Sequence, residues 1–207
     1  MYMKSSCIKY KKISQSGFTI VETLVAISIL LVVVVGPMTI AQKGMQSSFF
    51  ANEQTTAVFL AQEGIELIQK LRDDNALDVY DSVGSDTTWD WIEKESYNKY
   101  KIDRCISPSS CDVNVAFANG KFSDFKDCSN PGACNLKQFV GKNPKSAYGY
   151  DNGNDWVASP FTRTIVITKY GSEIVSVTVT VSWTSLALGP HSVTLQTWLY
   201  DQYKRYE

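Results

Sequence analysis

The chain has 207 residues, 20 Lys+Arg against 21 Asp+Glu, 44% apolar composition and five cysteines, enough for one or two ordinary domains with a real core. The near-zero charge argues against a general nucleic-acid binder, and none is expected as a partner. One histidine, His191, and no Gly-rich phosphate loop leave little from which to build a zinc hydrolase, a Ser/His triad or a nucleotide enzyme, so neither a cofactor nor a catalytic residue is expected.

In chain order, residues 1–17 carry Lys4, Lys9, Lys11 and Lys12 and no acidic side chain, whereas Phe18 to Gly36 is apolar apart from small hydroxyls and Glu22. As a helix that second segment is about 28 Å long, close to the roughly 30 Å hydrocarbon core of a bilayer. Lysines kept on the near side predict an N-in, C-out membrane helix, with the remainder of the chain exported. A cleavable secretory signal shares this charge pattern, and Thr39-Ile40-Ala41 before Gln42 would serve as its cleavage site. Glu22 speaks against it, because a carboxylate in a bilayer helix costs on the order of a few kcal/mol and needs a partner or a role. Cutting between Gly17 and Phe18 would place a new amine four residues before Glu22.

The run Ser16-Gly17-Phe18-Thr19-Ile20-Val21-Glu22-Thr23-Leu24-Val25-Ala26 resembles the class III signal of bacterial type IV pilins and type II secretion pseudopilins. The resemblance implies that a membrane aspartic peptidase cuts after Gly17 and methylates the new N-terminal Phe18, with Glu22 as the assembly carboxylate. It also implies other pilin or pseudopilin subunits, an inner-membrane assembly platform and the lipid bilayer as partners. The tip-capping pseudopilin of that family tends to lack the carboxylate that Glu22 supplies here. Charge balance sharpens accordingly: without the leader's four lysines the chain keeps sixteen basic against 21 acidic side chains.

Gly36-Pro37 follows the apolar run, and a proline inside a helix removes one hydrogen bond and clashes with the preceding turn, so a kink or locally melted stretch is expected there. Helical periodicity then resumes at Ala57, Leu60, Ala61, Gly64, Leu67, Ile68 and Leu71, with Gln62, Glu63, Glu66, Gln69 and Lys70 opposite. From Ala61 to Asp73 the sequence also resembles, more weakly, the pilus-modification class of minor pilins. A helix from Phe18 to about Asp74 would be about 85 Å long. Its boundaries divide into a membrane or filament-core segment, 18–41, and an amphipathic continuation, 42–75.

Near the other end, Val175, Val177, Val179, Val181 and Trp183 alternate with serines and threonines, which predicts a half-buried strand. Arg163 to Tyr170 reads as its hairpin partner across a Gly171-Ser172 turn, Thr184 to Pro190 as a loop, and Ser192 to Tyr200 as a third strand. An antiparallel three-stranded meander over 161–207, laid on the amphipathic helix, buries both apolar faces. The expected class is α+β and pilin-like.

Residues 76–160 show no sustained period and read as loops, with a short helix around Trp89 to Ser96 and a strand near Tyr100 to Cys105. Cys7 falls in the leader, leaving Cys105, Cys111, Cys128 and Cys134 in the exported part, an even set as a disulfide framework requires. Of three pairings, turn chemistry favours Cys105 with Cys111, across Pro108, and Cys128 with Cys134, across Asn130-Pro131-Gly132. Asp151, Asn152 and Asp155 group oxygen ligands as a calcium site would, but without EF-hand spacing or a bidentate Glu, so a solvent turn is the preferred reading. Trp89, Trp91, Tyr97, Tyr100, Tyr148, Tyr150 and Trp156 read as braces of a loop-rich region rather than as an adhesive patch. His191 has no evident partner. The functional expectation is a prepilin-like structural subunit of a type IV pilus or type II secretion pseudopilus, in a minor role. The alternative is a membrane-anchored extracellular binding or adhesion protein that joins no filament.

Overall fold

A computed structural model describes residues 17–81, 102–116, 121–142, 148–185 and 188–201. Helix α1, Ile20–Asp81, is followed by a 3-10 turn, Ile102–Cys105, and then by β1 (Cys111–Ala116), β2 (Lys121–Asp127), β3 (Asn135–Phe139), β4 (Tyr148–Gly149), β5 (Trp156–Tyr170), β6 (Ile174–Ser185) and β7 (Gly189–Tyr200). The chain divides into two units, Met1–Ser47 and Ser48–Glu207, and α1 contributes to both.

In the first unit every described side chain is exposed, Phe18 and Ile20 at 78% and 81% among them. This stretch is long and apolar enough to cross a membrane. Its few hydroxyls do not stay unpaired: Thr23 donates to the Ile20 carbonyl, Ser28 to Val25 and Thr39 to Gly36, each at 2.8 Å. Such back-bonding hides polar groups that hydrocarbon cannot solvate. At Gly36-Pro37, where a kink or a locally melted stretch is expected, helical structure continues through the proline. The proline deletes a single backbone donor, and the flanking turns carry enough hydrogen bonds to hold the helix across the gap.

In the second unit Ala57, Leu60, Ala61, Gly64, Leu67, Ile68 and Leu71 form the buried stripe of α1, as the periodicity requires. They share a core with Ile165 and Ile167 of β5, with Val175, Val177, Val179, Val181 and Trp183 of β6, and with Leu199 of β7. Gly64 marks the closest approach of helix to sheet. A Cβ there would lie 2.9 Å from Val179 Cγ1 and 3.4 Å from Arg163 Cδ. A mid-helix glycine costs about 1 kcal/mol relative to alanine and is retained here because nothing larger fits. Gly64→Val should destabilise this unit by about 2–3 kcal/mol through overpacking, read as a lower urea midpoint with unchanged slope.

The sheet is larger than the expected meander. Among the described residues it has seven strands, running β2-β1-β5-β3-β4, with β6 on the other side of β5 and β7 on β6. All strand pairs are antiparallel. The β5–β6–β7 portion matches expectation in order and facing, with an unbroken register from Ile174↔Tyr200 to Ser185↔Gly189. Its ends differ: β5 begins at Trp156, and the expected Thr184 to Pro190 loop contracts because β6 reaches Ser185 and β7 starts at Gly189. Pro190 is tolerated in β7 because that strand is an edge. Gly171 and Gly189 adopt φ of 78° and 83°, the left-handed conformations that their tight turns need.

The middle region needs the main correction. Four strands occupy what read as loops, and Ile102–Cys105 is a 3-10 turn instead of a strand. These strands are short, β1 carries a bulge at Asn114/Val115, and their partners lie far along the chain, so no local period exposes them. The expected helix at Trp89 to Ser96 lies outside the described residues.

Candidate functional site: the segment from Gly17 to Glu22

Thr19 begins α1 as its N-cap. Its carbonyl accepts from Thr23 N at 3.2 Å and its Oγ1 accepts from Glu22 N at 3.2 Å. Glu22 thereby stands at the third helical position of a Thr-x-x-Glu sequence, where a carboxylate also complements the positive end of the helix dipole. Gly17 and Phe18 lie just outside this cap, and a Cβ at Gly17 would meet nothing within 4 Å. The bond at which cleavage is expected thus lies just before the Thr19 cap. The Thr19 cap is legible in the sequence as Thr-x-x-Glu, but a charge in an apolar run is the more conspicuous signal there.

A Cβ added at Gly36 or at Gly44 would likewise meet only open space. Within the chain nothing requires glycine at either place.

The cysteines pair as turn chemistry favours. Cys105–Cys111 joins the 3-10 turn to the start of β1 with Cα atoms 4.9 Å apart, and Cys128–Cys134 closes the β2–β3 connection at 5.4 Å. In the second loop Gly132 has φ 78°, and Asn130 and Gly132 carbonyls accept from Ala133 N and Asn135 N. Ser129 donates its amide and hydroxyl to Asp127 Oδ1, which holds that carboxyl below the ordinary aspartate range.

The oxygen-rich turn at Asp151 to Asp155 is occupied by the chain's own donors. Lys137 Nζ donates to Asn152 Oδ1 and to the Asp151 carbonyl, and Val140 N donates to the Asp155 carbonyl. Lys137 thus draws on two oxygens of this turn, which fastens β3 to the segment leading into β5. Among the described residues, no group of three or more His, Cys, Asp or Glu converges as a metal site would require. Of the aromatic set, Tyr148 packs edge-on to Phe161 and Trp156 to Phe139, at 5.7 and 5.3 Å, while Trp89, Trp91, Tyr97 and Tyr100 lie outside the described residues. His191 does have neighbours, the rings of Phe50 and Trp183 at 4.8 and 5.7 Å.

A buried polar cluster escaped sequence reasoning altogether. Arg163, 3% exposed on the inward side of β5, donates from Nε to Asp112 Oδ1 at 2.8 Å, from Nη1 to Glu63 Oε2 at 2.8 Å and the Leu60 carbonyl at 3.3 Å, and from Nη2 to the Val113 carbonyl. Asp112, 0% exposed, also accepts from Val113 N and the Tyr150 hydroxyl. Burial pushes the Asp112 carboxyl above the usual aspartate range, against the opposing pull of Arg163 and Tyr150. Burial penalises the guanidinium, but Asp112 and Glu63 more than offset this and raise Arg163 further. Burial and the neighbouring Asp112 keep the Tyr150 phenol protonated as a donor. The cluster ties α1, β1, β5 and the segment after β4 together. The one hint of it in the sequence was an arginine at an inward position of β5.

Residues 12–36 match the prokaryotic N-terminal methylation motif. Neither curated proteins nor solved structures give a match to the chain. The motif, set on an apolar helix able to span a membrane, is a type IV pilin-like prepilin signal, and the long helix with an antiparallel sheet and two disulfides is a pilin-like α+β fold.

Proposed function

We propose that the chain is a structural subunit of a type IV pilus or type II secretion pseudopilus. It inserts N-in and C-out, is cut after Gly17, is methylated on Phe18, and packs its 18–36 helix among those of other subunits. The observation that carries this reading is the methylation motif on a helical stretch, 20–36, whose apolar side chains are all exposed. A single soluble molecule rarely leaves so large an apolar surface uncovered, so lipid and then neighbouring helices are its natural surroundings. The role is structural, and the chain is the substrate of the peptidase and methyltransferase. Its assignment as a minor component rests on the stalk sequence Ala61 to Asp73, and its abundance in purified filaments measures it.

Terminal peptide mass spectrometry of the protein isolated from its native membrane tests the reading. N-methylated Phe18 is the expected terminus. A terminus at Gln42 would mean an ordinary secretory signal. An intact Met1 would mean the runner-up, an anchored binding protein that is never assembled.

A further inference from the structure

Strands β5, β6 and β7 alternate in facing over their paired lengths, and the apolar inward side chains from Phe161 to Leu199 belong to or pack against the core shared with α1. Their outward side chains form a second surface with a different chemistry. Of its five, six and six positions on 162–170, 174–184 and 190–200, none is charged and ten are Ser or Thr. Charged residues make up 20% of the chain, and outward faces are where they ordinarily gather, so this neutrality sets the face apart. The rows run straight across the strands, as in Thr164↔Thr180↔Thr194 and Thr162↔Ser182↔Ser192.

One end of the face is aromatic. Tyr170, Trp198 and Tyr200 are 52%, 47% and 53% exposed, and the Tyr170 and Trp198 rings lie 4.9 Å apart. Beneath them, Ser176 points outward yet is 1% exposed, with Thr168 and Trp198 as its cross-strand partners. The Tyr170 and Trp198 rings, from the strands on either side of β6, therefore lean together across it and cover Ser176. Each keeps a broad face available.

We infer that this outward face binds a neutral, extended glycan. A pyranose ring presents an apolar C–H face that stacks on a flat aromatic ring, and a rim of hydroxyls that both donate and accept, as Ser and Thr do. A face without charge takes up such a ligand without desolvating any ion, and it offers no counter-charge to an anionic polymer. A second sheet is a poorer occupant, because faces buried in sheet-on-sheet packing are apolar and would strand these hydroxyls. The inference does not depend on filament assembly, since the face would serve an anchored molecule equally well.

The test is co-sedimentation of the full-length chain, in detergent, with insoluble cellulose, chitin and granular starch, and with heparin beads as the anionic control. Retention is expected on at least one neutral polysaccharide, falling at least tenfold in Trp198→Ala and in Tyr170→Ala and persisting in Trp198→Tyr. Tyr200→Ala removes a ring at the strand end without uncovering Ser176, and it should also weaken retention if Trp198→Ala fails to fold. Retention on none of the three, equal retention by folded Trp198→Ala and wild type, or retention on heparin alone would overturn the inference. So would a finding by light scattering that Trp198→Ala abolishes self-association while leaving retention unchanged.

Discussion

Arg163→Met should destabilise the second unit by about 3–5 kcal/mol, making it the most damaging single change in that unit. The methionine replaces the aliphatic stem, so the loss comes from the guanidinium. Without it, Asp112 at 0% exposure faces only Val113 N and the Tyr150 hydroxyl, and the Leu60 and Val113 carbonyls lose a donor. The pH dependence separates this cause from simple loss of packing. Asp112 holds its proton more readily in the folded chain than in the unfolded one, so its contribution favours folding below its unfolded value and is lost as pH rises through its folded value. Removing Arg163 deletes the largest opposing pull and widens that window upward. The deficit of the variant should therefore be larger at about pH 8 than at about pH 5, measured by urea unfolding followed through tryptophan fluorescence. Adding Asp112→Asn should recover part of the loss. A deficit that is the same at both pH values and in the double variant would show that Asp112 is not the stranded charge.

This cluster also marks where sequence reading runs out. The methylation signal, the apolar helix and the Ala57 to Leu71 stripe depend on charge and period within a window of a few turns, and all were legible. Strands β5 to β7 were legible for the same reason, since Val175 to Thr184 in β6 alternate apolar and polar without interruption. In β1, by contrast, Cys111, Asp112 and Val113 are all buried, so the polar position that reads as a solvent face is internal. It is internal because of Arg163, 51 residues away, and the arginine in turn is held by Glu63, 100 residues away. No window spans such distances. The disulfides succeeded for the opposite reason: each closes six residues around its own turn. At the oxygen-rich turn a sequence shows acceptors at 151–155 without showing that Lys137, 15 residues before Asn152, donates to them.

Glu22→Gln should insert and be processed normally but enter filaments at least tenfold less than wild type, and it separates two roles that Glu22→Ala would confound. In the monomer Glu22 sits in the first turn of α1, where Thr19 Oγ1 accepts from its amide. Glutamine preserves the Thr-x-x-Glu/Gln capping pattern and the size of the side chain, so the start of the helix is kept. What it removes is the negative charge. In the proposed filament, where the apolar helices would leave lipid for a shared core, that charge would become a buried ion that needs a partner, and the proposed cleavage after Gly17 would create an amine on Phe18 four residues away. Pairing with the amine of a neighbouring subunit would satisfy both groups only at one axial stagger, which would make the carboxylate a register device as well as an attraction. Thr19→Val removes the cap and leaves the charge; it should cost about 1 kcal/mol of helix stability and leave incorporation within a few fold of normal. Quantifying each variant in sheared filaments against its processed membrane pool gives the answer. If Glu22→Gln assembles like wild type while Thr19→Val does not, the residue serves to start the helix, and the ion-pair account of assembly fails.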